Sequence, residues 1–144
     1  MENTSIAVVE SLEKAHRDLM KDLVDLEEAS RSSLGMDASQ IGSRLSRTRT
    51  HITDHFRFEE HNGYMYAALQ REPNLTRSIE HLRDEHRQLA EALDDLIEQT
   101  RMRQNTEESL RAQIRSWIEK VRQHEARENT LVQDAFNVDV GSDD

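Results

Sequence analysis

The chain has 144 residues, 35% hydrophobic and 33% charged, with a mean hydropathy of −0.88, which is room for one domain of ordinary size. Leu 14, Ile 7, Val 7 and Phe 3 make about 22% of it, just above the roughly 20% below which highly charged chains stay disordered, so a folded core must use its apolar residues economically. A formal net charge of −10 sets the chain against nucleic acid and anionic membrane surfaces. No apolar run reaches the roughly 18 residues of a membrane span, and residues 1–11 lack the basic start and apolar stretch of a leader, so a soluble, cytoplasmic protein is expected.

One Pro, four Gly and many Leu, Ala, Glu, Arg and Gln favour helix. Turn signals cut the chain into four stretches, at Leu34-Gly35-Met36-Asp37, at Glu72-Pro73-Asn74 and at the polar run 101–105. Gly35 suits a left-handed helix end, and Asp37 with Gln40, like Asn105 with Glu108, has the spacing of an N-cap with a reciprocal side chain.

The first stretch carries Val9, Leu12, His16, Leu19, Leu23 and Leu26 at alternating spacings of 3 and 4, the seam of a helix packed lengthwise in a bundle. The second continues the pattern through Ile41, Leu45, Thr48, Ile52, His55, Glu59, Asn62, Tyr66 and Leu69, with Asn62-Gly63 marking a kink or an early helix end. The third gives Leu75, Ile79, Leu82, His86, Leu89, Leu93 and Leu96; the fourth gives Leu110, Ile114, Trp117, Val121, His124, Glu128, Leu131 and Ala135. Tyr66 and Trp117 are expected to pack in the core. These stretches predict an all-α, antiparallel up-down-up-down four-helix bundle over residues 1–136, followed by a short acidic tail, 137–144.

In such a bundle, residues equally far from a shared turn lie at the same height. His16 and His55 flank the first turn at similar distances, Glu59 and His86 the second, His86 and His124 the third, so the six polar seam residues His16, His55, Glu59, His86, His124 and Glu128 fall in one layer. A carboxylate buried among apolar side chains costs several kcal/mol unless it is paired or binds a metal. His55 with Glu59, and His124 with Glu128, are four residues apart on one helix face, so both side chains of each pair can converge on one centre. The absence of Cys leaves histidine as the soft ligand, and six donors are too many for a tetrahedral zinc site. Two carboxylates able to bridge point instead to two metals, with iron the first choice.

The order His16, then His55-Phe56-x-x-Glu59-Glu60, then Glu85-His86-x-x-Leu89, then His124-x-x-x-Glu128-Asn129 resembles the hemerythrin-like, HHE cation-binding proteins over nearly the whole chain. The resemblance implies a carboxylate-bridged, non-haem di-iron centre, with His16, His55, His86 and His124 as terminal ligands and Glu59 and Glu128 as bridges. It also implies an oxo or hydroxo bridge and an open position for O2 or another small diatomic or peroxide. Binding or sensing such a molecule is the expected function. The alternatives are redox enzymology on the same site, as a ferroxidase, peroxidase or nitric oxide scavenger, and a metal-independent helical interaction module. The oxygen-carrier pattern has a further histidine one turn before His86, where this chain has Leu82, and its last pair is five residues apart rather than four. The open position this leaves favours reaction with oxidants over reversible carriage. His51, one turn before His55, is the candidate for a fifth imidazole, whereas His61 and His81 point away. Glu60, Glu85 and Glu125 flank the ligands and are either outer partners of the imidazoles or, as is commoner, a solvated charged face.

Overall fold

Each periodic stretch forms a helix because its seam can be buried only against the seams of the others. A computed structural model describes residues 2–31, 38–61, 63–102 and 107–137. Its helices are α1 (Glu2–Arg31), α2 (Ala38–His61), α3 (Tyr64–Arg71), α4 (Thr76–Met102) and α5 (Glu107–Phe136), with a short 3₁₀ turn, Pro73–Leu75, before α4. The helices α1, α2, α4 and α5 make the antiparallel four-helix bundle; α1 and α4 each pack against both α2 and α5. No described helix is long and apolar enough to cross a membrane.

The expected break at Pro73 is present. The Glu72 N–H donates to the Ala68 carbonyl at 2.8 Å to close α3, and the Thr76 hydroxyl donates to the Pro73 carbonyl at 2.8 Å where α4 begins. Residues 32–37 and 103–106, which include Gly35, Asp37 and Asn105 of the expected caps, lie outside the described residues, as does the tail from 138 onward. α5 ends at Phe136, and Asn137 follows in the left-handed conformation (φ 56°) that Asn tolerates at helix ends. At the other end of the bundle the buried Arg111 guanidinium donates to the Ala29 and Ser30 carbonyls, both at 3.2 Å, filling acceptors at the C-terminus of α1.

Two separate apolar clusters make the core. One holds Leu19, Leu23 and Leu26 of α1, Ile41, Leu45 and Ile52 of α2, Leu89, Leu93 and Leu96 of α4, and Leu110 to Val121 of α5. The other holds Val9 and Leu12, the α3 residues Tyr64, Met65 and Ala68, Ile79 and Leu82, and Leu131 to Phe136. On α1, α4 and α5 the polar seam residues fall between the two, and on α2 His55 and Glu59 come at the end of the first cluster. Trp117 is buried as expected, its indole N–H donating to the Leu89 carbonyl at 2.9 Å. Tyr66 is not: it is 60% exposed. The seam register does not run on past His61: α2 ends there and α3 starts at Tyr64, which changes the face turned inward to Tyr64, Met65 and Ala68, while Asn62 lies outside the described residues.

Candidate metal centre

The six seam residues converge in the layer between the apolar clusters. Glu59 and Glu128 are 1% and 0% exposed, and the four imidazoles are nearly as deeply placed. Their donor atoms form two overlapping groups, His16, His55, Glu59 and Glu128, and Glu59, His86, His124 and Glu128, within each of which all ligand atoms lie within 4.8 Å of one another. The carboxylates belong to both. Glu59 turns Oε2 to His55 Nε2 (2.9 Å) and His16 Nε2 (3.2 Å), and Oε1 to His86 Nε2 (3.1 Å). Glu128 turns Oε1 to His16 Nε2 (3.1 Å), and Oε2 to His86 Nε2 (3.2 Å) and His124 Nε2 (3.3 Å). Each carboxylate thus presents one oxygen to the His16–His55 side and the other to the His86–His124 side, as two bridging ligands must.

Several of these close contacts are not hydrogen bonds. His55 Nε2, His124 Nε2 and Glu59 Oε1 are buried and lack any partner in hydrogen-bonding geometry, although opposite charges stand within 3.3 Å. The atoms are aimed at common points rather than at one another, and orphaned lone pairs in a dry layer are what a cation fits. The donor set of four imidazole nitrogens and two carboxylates suits iron or another transition metal.

A second ring of groups orients the first. The His86 Nδ1–H donates to Glu60 Oε2 at 2.6 Å and the His124 Nδ1–H to Glu85 Oε1 at 2.7 Å, which turns both Nε2 atoms inward. Glu85 is held in turn by Arg127 at 2.6 Å. Glu60 and Glu85 are therefore outer partners of imidazoles and not a merely solvated face. The ring of Phe56 stacks on His86, with centroids 3.9 Å apart and planes 10° from parallel, and meets His124 edge-on. Buried Tyr64 donates its hydroxyl to Glu128 Oε2 at 2.7 Å.

The electrostatics fit a layer of opposite charges out of water. Burial alone would hold the His86 imidazolium below its ordinary range, but the hydrogen bond to Glu128 and the Glu59 carboxylate beside it outweigh burial and raise the pKa to about 10. His16 and His124 are raised as well, burial again opposing and neighbouring carboxylates prevailing, Glu128 and Glu59 for His16, Glu128 and Glu85 for His124. Burial pushes Glu128 up, yet the imidazoles of His124, His16 and His86 beside it hold it well below the usual carboxylate range. Burial raises Glu125 to about 7, with His16 and His55 only partly offsetting it.

His51 lies outside both donor groups. Its side chain is 47% exposed and its Nδ1 pairs with Asp22 at 2.6 Å. His61 and His81 are exposed, as expected from their faces. Sequence periodicity missed Tyr64 and Phe56, and the signal for Tyr64 was present in Asn62-Gly63, had the register been restarted there. The Hemerythrin HHE cation binding domain matches the chain over residues 7–136. Among curated proteins and solved structures none matches the chain.

Proposed function

The chain belongs to the hemerythrin HHE cation-binding family, and from that premise we propose that it holds two iron ions and uses them to bind or sense O2 or a related small molecule. The observation that carries this reading is the sharing of Glu59 and Glu128 between two donor groups, one oxygen of each carboxylate to each group. His16 and His55 are the terminal ligands of one iron, His86 and His124 those of the other, and Glu59 and Glu128 bridge them. An iron pair so held supplies redox-active Lewis acidity with coordination positions left open to an exogenous molecule.

The protein's own part is to position and to shield. Glu60 and Glu85 fix the tautomers of His86 and His124, so that each imidazole offers a lone pair inward. Phe56 locks the plane of His86 by stacking on it. The apolar clusters on either side of the layer keep bulk water from the centre. Tyr64 places a hydroxyl donor beside the bridging carboxylate, which favours the second reading, redox chemistry at the same centre, because a polar hydrogen is available inside an otherwise dry site.

The test is to load the metal-free chain with ferrous iron without oxygen, count the bound iron, and follow the absorption spectrum as air is admitted and withdrawn. Two irons per chain and a charge-transfer band that reverses on deoxygenation are expected for binding. A band that forms irreversibly, with turnover, selects the redox reading. Fewer than one iron per chain would sink both readings and leave the helical interaction module.

A further inference from the structure

The two halves of the polar layer are not equally furnished. On the His86–His124 side every outer group is engaged: Glu60 holds His86, Glu85 holds His124, and the Tyr64 hydroxyl sits on Glu128. Among the described residues no carboxylate bonds an outer nitrogen of His16 or His55. That side has instead a third buried carboxylate, Glu125, on α5 one residue after His124 and three before Glu128.

Glu125 is 4% exposed, and both its oxygens are buried without a hydrogen-bond partner. The charges that face it are the imidazoles of His16 and His55 and the carboxylates of Glu128 and Glu59. Arg122, three residues earlier on the same helix, faces it as well but is paired with Glu27 at 3.0 Å. A carboxylate in such a place costs several kcal/mol unless it is paired, hydrogen-bonded or binds a metal; Glu125 has no hydrogen bond, and His16, His55 and Arg122 offset its charge only through space. The other buried carboxylates of the layer each have imidazole or hydroxyl neighbours within 3.3 Å. A sequence with no use for a charge at this position would place an apolar residue there, as at Val121 and Val132 on the same helix.

We propose that Glu125 is a seventh protein ligand of the centre, a terminal carboxylate on the metal held by His16 and His55, and that it makes the two metal positions chemically unequal. Neither of its oxygens is bonded, so no contact is broken when the side chain turns to the metal. The His16–His55 position gains a hard anionic oxygen that the His86–His124 position lacks, and it is therefore the tighter of the two for a divalent metal.

This rests on the two-metal reading of the site, and its test separates the two claims. The metal-free full-length chain and Glu125→Gln are titrated with Co(II) as an optical probe and with Fe(II) in the absence of oxygen, against a competing chelator. The wild type is expected to bind two metals with unequal affinities. Glu125→Gln is expected to weaken one position by at least about tenfold, leave the other unchanged, and alter the Co(II) d–d bands of the weakened position. Its metal-free form should melt no lower than the wild type, because an uncompensated buried charge has been removed. Glu125→Asp, which keeps the charge on a shorter arm, should fall between them, and it serves as the test should Glu125→Gln fail to fold. If the wild type binds no metal, the two-metal reading itself fails. If the wild type binds two and Glu125→Gln binds both as tightly, the Glu125 assignment is overturned. Equal weakening of both positions together with a lower metal-free melting temperature overturns it too, marking a packing residue.

Discussion

The two ends of the bundle are built differently, and the polar layer lies where they meet. At the end that holds Leu23, Leu45, Leu93 and Ile114, four long helices interlock along continuous seams and pack chiefly through apolar side chains, with Arg111 tying α5 to the end of α1. At the end that holds Met65, Ala68, Ile79 and Val132, α2 stops at His61 and α3 turns a new face inward, sending the Tyr64 hydroxyl back into the layer. The regular end fixes helix register, and the broken end tailors the site.

The largest test of that division is pH, because the layer between the two ends holds the buried imidazoles and carboxylates. In the metal-free protein the folded pKa of His86 is about 10 against 6.5 for an ordinary histidine, and His16 and His124 are raised as well. Their contribution to stability is fully present below the ordinary value and is lost as pH rises through the folded one. Glu125, raised to about 7 from 4.5, acts in the same sense over its own interval, since the folded state holds its proton more tightly. Glu128, held low, contributes above its ordinary value of 4.5 and loses that contribution in acid. Urea midpoints of the metal-free chain should therefore fall steadily from about pH 6.5 toward pH 10. Bound metal requires neutral imidazoles, so metal affinity should rise over the same interval as protons cease to compete. A flat profile in the metal-free chain would mean that the layer carries no charge and that the ends are joined by packing alone.

A smaller effect comes from one truncation at each end. Leu45 and Met65 are both 0% exposed, so Leu45→Ala and Met65→Ala should each cost about 2–5 kcal/mol in urea unfolding. Their effect on metal should differ. Leu45 lies about 15 Å along α2 from His55, so Leu45→Ala should bind both metals with wild-type affinity. Met65→Ala undermines the packing that holds Tyr64 and α3 in place, and its metal affinity should drop as well. Equal metal binding in the two variants would erase the distinction between the ends.

How much of this was legible in the sequence follows the same division. The seams of α1, α4 and α5, and of α2 as far as Glu59, run with periodicity intact, so their buried residues and all six proposed ligands could be placed by spacing and by counting from the turns. The regular end is readable because each helix there obeys one period. Beyond Glu59 the period is interrupted, and continuing it assigned Tyr66 to the core in place of Tyr64. Glu60, Glu85 and Glu125 lie one residue beside ligand positions. Spacing cannot tell whether such a residue meets water or a neighbouring helix; that depends on the crossing of α2 with α4 and of α5 with α1, which single-helix periodicity does not contain. His51 failed as a fifth ligand for a related reason, because the groove between α1 and α2 offers it Asp22 at the surface.

The smallest effect to measure is the cost of one methyl group at each end. A Cβ on Gly63 would lie 3.1 Å from Glu59 Cα and from the Phe58 carbonyl oxygen, both backbone atoms of the turn that carries the proposed ligand Glu59. Backbone cannot rotate out of the way, so the last turn of α2 must shift. A Cβ on Gly42, at the regular end, would lie 2.8 Å from Thr100 Oγ1, a side-chain atom that can give way only by straining its hydrogen bond to the Ile97 carbonyl and that lies far from the ligand layer. In each case the loss of chain entropy in the unfolded state returns about 0.4–1 kcal/mol, against an overpacking cost of about 1–3 kcal/mol. Both Gly63→Ala and Gly42→Ala should thus lower stability by roughly 1 kcal/mol, and unfolding alone will not separate them. Metal titration will: Gly63→Ala should weaken binding several-fold because it displaces Glu59, whereas Gly42→Ala should leave it untouched. Unchanged metal affinity in Gly63→Ala would show that the helix break adjusts without moving the turn, and that the broken end is less tightly coupled to the centre than its geometry indicates.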